Sequence, residues 1–307
     1  MNIIRYSSPG KVILSGEHAV VYGKPAVVCA IDKRLSITFT PSSKTQYNDD
    51  IFPILEKSVI DFLSSKKEKF KIKTYSYSVE SSIPIGRGLG SSAAYCACIS
   101  AGLLELFTGK VWDSTEVNMC AYQMEKYFHK NASGVDTSTS IMGGLIYYRK
   151  EFEFLKTISS LAIKFPKNII EHLVLIDTGK PEESSGEIIQ TVGKLFNAKG
   201  SNTELIMNEI EKTTKRLVVS IMKEDGILFK DAIVQNELLL EAIQIVSQST
   251  KKLLKTLSNK GVGKVTGAGG YKGASGYILF YCDNERVLDG IIHEPFIPSY
   301  KGLTKEL

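Results

Sequence analysis

The chain has 307 residues, 43% of them hydrophobic and 23% charged. That size and balance support one large folded domain or two of ordinary size, and they exclude a small module, a disordered chain and a collagen-like or low-complexity one. A net charge of +5 suits anionic ligands but falls short of a nucleic-acid-binding surface, so no nucleic-acid polymer is expected as a partner.

The first 40 residues alternate β-rich segments (IIRYS, KVILSG, PAVVCAID, LSITFT) with Pro and Gly punctuation, which predicts short strands joined by turns. The opening residues lack the charged start, long apolar run and cleavage site of a secretory leader, and the expected location is cytoplasmic. Residues 53–65 show apolar positions at helical spacing, and residues 71–80 alternate in strand fashion before the turn SSIPIGRGLG. The apolar stretch over residues 91–107 reads as a buried helix, too short and too polar at its ends to span a membrane; no membrane partner is expected.

Residues 113–128 have an acidic start and an apolar stripe, predicting a helix. After the NASG turn a second helical start at 135–142 runs into Gly143-Gly144 and the strand LIYYR. A strand at 172–178, helical stretches over about 202–223 and 227–259, the turn KVTGAGG and the strand YILFYC complete the chain. Strands and helices alternate without the rhythm of a doubly wound sheet, which favours an α+β assembly of two subdomains. The five cysteines (Cys29, Cys96, Cys98, Cys120, Cys282) have no second pair at zinc-ligand spacing and the four histidines are scattered, so buried reduced thiols and no structural metal are expected.

Three glycine-bearing segments carry the chemistry: SSPGKVILSGEHAVVYG (7–23), PIGRGLGSSAA (84–94) and KVTGAGG (264–270). In the middle one, Gly86, Gly88 and Gly90 let the backbone approach a ligand. Ser91-Ser92 then open a helix whose unpaired N–H groups and positive dipole end favour phosphate. Neither GxGxxG nor GxxxxGK[ST] is present, which removes the Rossmann and Walker readings; a tight turn with no ligand is the bland alternative. Ser92 and Glu125 have the oxygens that Mg²⁺ takes, although Glu125 alone reads as a solvated helix residue beside Lys126. Asp136, alone, reads as a helix N-cap, and Lys11 as a strand-end lysine in solvent. Together, a lysine and a carboxylate meeting in a cleft would orient a hydroxyl for phosphoryl transfer.

As a set, in this order and over nearly the whole chain, the segments resemble the GHMP kinase superfamily. PGKVILSGEHAVVYGKPA, GRGLGSSAAY and HKNASGVDTSTSIMGGL are similar to its mevalonate kinase family. The resemblance implies an N-terminal domain like ribosomal protein S5 domain 2 over 1–168 and a ferredoxin-like domain over 169–307, with the site between them. It implies ATP and Mg²⁺ as cofactors, mevalonate as the small-molecule substrate, phosphorylation at its 5-hydroxyl, and a homodimer. Position by position it implies Asp136 as the catalytic carboxylate and Lys11 as its partner, with Ser92 and Glu125 as Mg²⁺ ligands. Gly86, Gly88, Leu89, Gly90, Ser91 and Ser92 would line the triphosphate; Glu17, His18, Thr178, Gly267 and Ala268 would join Lys11 and Asp136 around the acceptor. A phosphomevalonate kinase, a mevalonate 3-kinase and a non-catalytic nucleotide sensor are the rivals, while Lys11 with Asp136 argues against the related decarboxylase. The third motif departs from the family's TGAGGGG, running into Tyr271-Lys272-Gly273. Tyr271 is expected to face solvent, the alternative being that it narrows the acceptor site, and Lys272 would favour an acceptor already carrying phosphate.

Overall fold

The computed structural model describes residues 3–129, 132–282, 288 and 290–307. Lys130 and Asn131, which fall in and beside the turn expected before residue 135, lie outside the described residues. The first half runs β1 (Ile4–Ser15), a 3₁₀ turn (Ala19–Tyr22), β2 (Pro25–Pro41), α1 (Phe52–Ser65), β3 (Tyr75–Ser81), α2 (Ser91–Thr108), α3 (Ser114–Phe128), α4 (Val135–Met142), β4 (Leu145–Lys150) and β5 (Lys156–Leu161). Then follow α5 (Lys167–Ile170), β6 (Leu173–Asp177), α6 (Ser185–Asn197), α7 (Thr203–Met222), α8 (Gly226–Ala242), α9 (Gln248–Leu257), β7 (Gly261–Val265), β8 (Tyr277–Cys282), β9 (His293–Pro295) and β10 (Thr304–Lys305).

The strands form two antiparallel sheets. One has the order β10-β1-β2-β4-β5 with β3 on the far stretch of β2, and the other the order β7-β8-β6-β9. The chain's end returns to the first sheet: Ser299 donates to the Ala30 carbonyl at 2.8 Å, and β10 pairs with β1. The opening is therefore not a set of short strands. β1 and β2 are two long ones, and the Pro9-Gly10 break is a bulge, because Pro9 pairs with Arg34 while Gly10 pairs with Ile31. The extra residues, Asp32 and Lys33, lie on β2, so the bulge bends β2 while β1 runs on through Lys11.

α2 is the buried helix its sequence predicts. By length and composition it is apolar enough to cross a membrane, and 72% of it is buried within the protein. Its small residues let it sit tightly on the first sheet: a Cβ on Gly102 would lie 2.1 Å from the Phe39 ring. α3 begins as its sequence predicts, with Asp113 Oδ1 accepting from the Thr115 and Glu116 N–H groups at 2.9 and 3.1 Å. The helical stretch expected over 227–259 is broken. Gln244 adopts φ 63°, and Ser247 caps a new helix by accepting from the Thr250 N–H. The break has a use, since the freed Ile245 carbonyl accepts from the Gly270 N–H at 2.8 Å and so supports the third glycine segment. All five cysteines are buried, as expected, and Cys29, Cys96, Cys98 and Cys120 are free thiols.

Candidate active site

A cavity of about 700 Å³ lies where the two sheets meet, within the ~300–1,000 Å³ typical of small-molecule sites. All three glycine segments line it. Their backbones touch: the Lys11 N–H donates to the Leu89 carbonyl at 2.9 Å. A Cβ on Gly88 would lie 2.9 Å from the Thr266 carbonyl oxygen, and one on Gly267 would lie 2.9 Å from Gly88. Both glycines also hold positive φ, 86° and 81°, a conformation that L side chains disfavour. Glycine at these two positions is what lets the second and third segments close on each other.

Gly90, at φ 81°, is the N-cap of α2, with Ser91 and Ser92 in its first turn and facing the cavity. The unpaired N–H groups there form a cradle for an anion. Leu89 is placed differently from its expected role: its side chain is in the core, and only its backbone borders the loop. The far end of the cavity, with Leu35, Ile51, Val79, Ile85 and Tyr95, is apolar and suits a ring system.

At the other end Lys11 Nζ lies 3.1 Å from Asp136 Oδ1, with the lysine side chain 3% exposed and the carboxylate 24% exposed. Neither solvated alternative survives. Asp136 is not the N-cap of α4, a position held by Gly134 at φ 90°; it sits in the first turn. Glu125, which alone reads as solvated, is buried, and Oε2 accepts from Thr137 Oγ1 at 3.3 Å. Burial first, then the neighbouring Asp136 charge, push its carboxyl up to about 8, against the pull of Lys11. Among the described residues there is no cluster of three or more His, Cys, Asp or Glu suited to a metal. Ser92 and Glu125 share the cavity wall.

His18 and Glu17 sit beneath the third segment. His18 Nε2 lies 2.9 Å from the Ala268 carbonyl oxygen, and burial lowers its pKa to about 4, leaving a neutral ring. Glu17 is fully buried in an ion pair with Lys264, whose ammonium also donates to the Ile13 carbonyl at 3.2 Å. Its carboxylate thus forms part of the floor. Gly267 and Ala268 border the cavity as expected. Thr178 does not: it is absent from the cavity wall, and its hydroxyl donates to the Gly276 carbonyl at 2.7 Å, bracing the loop behind the site. Tyr271 is half-buried on the second sheet's core and does not face solvent; Lys272 is exposed, its Nζ 6.0 Å from the Tyr271 ring centre.

Arg87, His129, Lys180 and Glu183 also line the cavity. Arg87 pairs with Asp177. His129 closes α3, and burial lowers its pKa. Lys180 packs against Gly86 and Glu183 against the third segment.

An N–H cradle, a buried carboxylate beside it and an amine–carboxylate pair facing the same space define a nucleotide-dependent phosphotransferase. Residues 55–144 match the family model for the GHMP kinases N-terminal domain. The chain is 28% identical over 291 residues to mevalonate kinase of Methanothermobacter thermautotrophicus, covering 90% of this chain and 89% of that one. Among solved structures it is similar in fold to a Lin0012 protein from Listeria innocua, with TM-score 0.81, 18% identity and 99% of each chain covered. It is also similar to L. major mevalonate kinase in complex with R-mevalonate, with TM-score 0.71, 20% identity, and 92% of this chain and 88% of that one covered. The chain thus carries a segment like the GHMP kinases N-terminal domain and is similar to mevalonate kinase over most of its length.

Proposed function

We propose that the protein phosphorylates the 5-hydroxyl of (R)-mevalonate, taking the γ-phosphoryl group from ATP. The observation that carries this reading is the Lys11–Asp136 pair, 3.1 Å apart where the three glycine segments converge. The name of the Methanothermobacter relative and the R-mevalonate bound to the L. major enzyme support the acceptor. The apolar end of the cavity takes the adenine, and the N–H groups from Gly88 to Ser92 take the phosphates, with Gly86 shaping the loop.

Asp136 accepts a hydrogen bond from the acceptor hydroxyl and receives its proton as the oxygen bonds to phosphorus and the bridging β–γ oxygen leaves with ADP. Lys11 holds that carboxylate in place and offsets the negative charge gathering on the transferring group. Glu125 and Ser92 fit Mg²⁺. Glu125 is buried with its charge only partly compensated, and Mg²⁺ takes one or two protein oxygens alongside phosphate. Bound there, the ion would neutralise phosphate charge. His18, as a neutral ring held by Ala268, and the backbone of Gly267 and Ala268 border the acceptor. We read residues 1–168, completed by the returning segment 297–307, and residues 169–296 as the two units that meet at this cavity, a correction to the expected boundary at 307, and a cytoplasmic homodimer as the working form.

A kinase acting on phosphomevalonate shares the nucleotide site. The outward Lys272 side chain removes the one feature that favoured a phosphorylated acceptor. The test is to incubate the protein with Mg·ATP and, separately, mevalonate, 5-phosphomevalonate, homoserine and galactose, and to weigh the products. One phosphoryl group gained by mevalonate at its 5-oxygen, with no CO₂ released, is the expected result. Turnover of 5-phosphomevalonate alone, or phosphate on the 3-oxygen, overturns it.

A further inference from the structure

The loop between β6 and α6 places two adjacent carboxylates in opposite directions. Glu182 is exposed and lies beside Gly273, whereas Glu183 turns inward and lines the cavity. One oxygen of Glu183, Oε1, accepts from the Lys272 backbone N–H at 3.0 Å, which ties it to the third glycine segment. The other, Oε2, is buried and has no hydrogen-bond partner. A buried carboxylate oxygen left unpaired is costly, and native proteins fill such sites with a donor. Among the described cations that line the cavity, Arg87 is paired with Asp177 and Lys11 with Asp136, while Lys180 packs against Gly86.

Glu183 also stands on the acceptor side. The segment that carries it packs on the third glycine segment, with a Cβ on Gly270 placed 2.8 Å from Pro181, and that segment holds His18 through Ala268. The apolar lining of Leu35, Ile51, Val79, Ile85 and Tyr95 comes from the first half of the chain. What reaches Glu183 is therefore the acceptor, and what satisfies Oε2 is a hydroxyl donor.

We propose that Glu183 is the specificity-determining residue for the acceptor, its Oε2 accepting a hydrogen bond from the acceptor's second, non-reacting hydroxyl. This rests on the reading above, in which the acceptor is mevalonate and that hydroxyl is the tertiary one at carbon 3. Acceptors that lack the hydroxyl leave the carboxylate oxygen unpaired, and acceptors with an anionic group in its place meet like charge.

The experiment is a substrate–variant cycle. Wild type, Glu183→Ala and Glu183→Gln are assayed with mevalonate and with 5-hydroxy-3-methylpentanoate, which lacks the tertiary hydroxyl. A hydrogen bond to a charged group predicts that the wild type loses about 10- to 100-fold in kcat/KM on the deoxy acceptor. Glu183→Ala should lose a similar factor on mevalonate, treat the two acceptors alike within about threefold, and keep the KM for ATP. Glu183→Gln retains an oxygen for the Lys272 N–H, so its loop stays in place while discrimination still falls. If both variants discriminate between the acceptors as the wild type does, or if the wild type does not discriminate, the assignment of Glu183 is overturned while the acceptor reading stands. If the wild type does not phosphorylate mevalonate, the acceptor reading fails and this assignment with it.

Discussion

Gly88 and Gly267 meet backbone to backbone: a Cβ on Gly267 would lie 2.9 Å from the Gly88 carbonyl oxygen, and a Cβ on Gly88 2.9 Å from that of Thr266. The two come from opposite halves of the chain, and their contact seals the nucleotide loop against the third segment. Gly88→Ala or Gly267→Ala must open that seam and also strain a positive φ. Each should cost roughly 1–3 kcal/mol of stability and raise the KM for ATP. Gly109, at φ 79° with nothing within 4 Å of a Cβ, is the control. Gly109→Ala should lose stability alone and leave ATP kinetics unchanged, as thermal unfolding and steady-state assays will report.

Beneath the seam, Glu17 and Lys264 are both fully buried and paired with each other. Asn236 Nδ2 donates to Glu17 Oε2 at 3.4 Å, and Ser15 Oγ donates to Asn236 Oδ1 at 2.5 Å. Removing one partner of a buried pair leaves the other uncompensated, so Lys264→Met should destabilise the fold by about 3–5 kcal/mol. Adding Glu17→Gln to that variant should recover most of the loss. Urea unfolding of both variants measures this, and losses that simply add would contradict the pairing.

Glu237 gives a pH dependence. It is buried, its Oε2 accepts from the Val265 N–H at 2.8 Å, and Oε1 has no partner. Burial raises its pKa from 4.5 to about 7. A carboxyl held above its unfolded value takes up a proton more readily in the folded state, so its contribution is fully present below about 4.5 and is lost as the pH rises through about 7. The loss is on the order of 3 kcal/mol. Unfolding free energies measured between pH 5 and 8 should fall with pH in the wild type and fall less in Glu237→Gln. Equal slopes would contradict the burial argument.

Much of the site was legible in the sequence because its residues sit inside short segments whose order is itself informative. Lys11, Ser92, Glu125 and Asp136 all line the same cavity. Burial was not legible. Glu125 looks like any helix glutamate until α4 brings Asp136 and Thr137 against it. Thr178 stands off the cavity wall because a threonine hydroxyl is equally able to brace a turn, and here the Gly276 carbonyl takes it. Lys180 and Glu183 reach the cavity through packing between segments far apart in the chain, which no local pattern encodes, while Arg87 and His129 sit inside the motif segments beside residues of clearer chemistry. The break after α8 had one usable sign, Ser247 three residues before Thr250. Gln244 in the left-handed region carries no Gly or Pro to announce it.

The most direct test of the central claim, that Asp136 acts on the acceptor hydroxyl with Lys11 beside it, is Asp136→Asn examined for both turnover and ATP affinity. The account predicts that kcat falls by about 10²–10⁴-fold, the range for loss of a positioned proton acceptor, while the Kd for ATP stays within about twofold of wild type. A folded variant that has lost ATP binding, or one that still turns over at the wild-type rate, would contradict it.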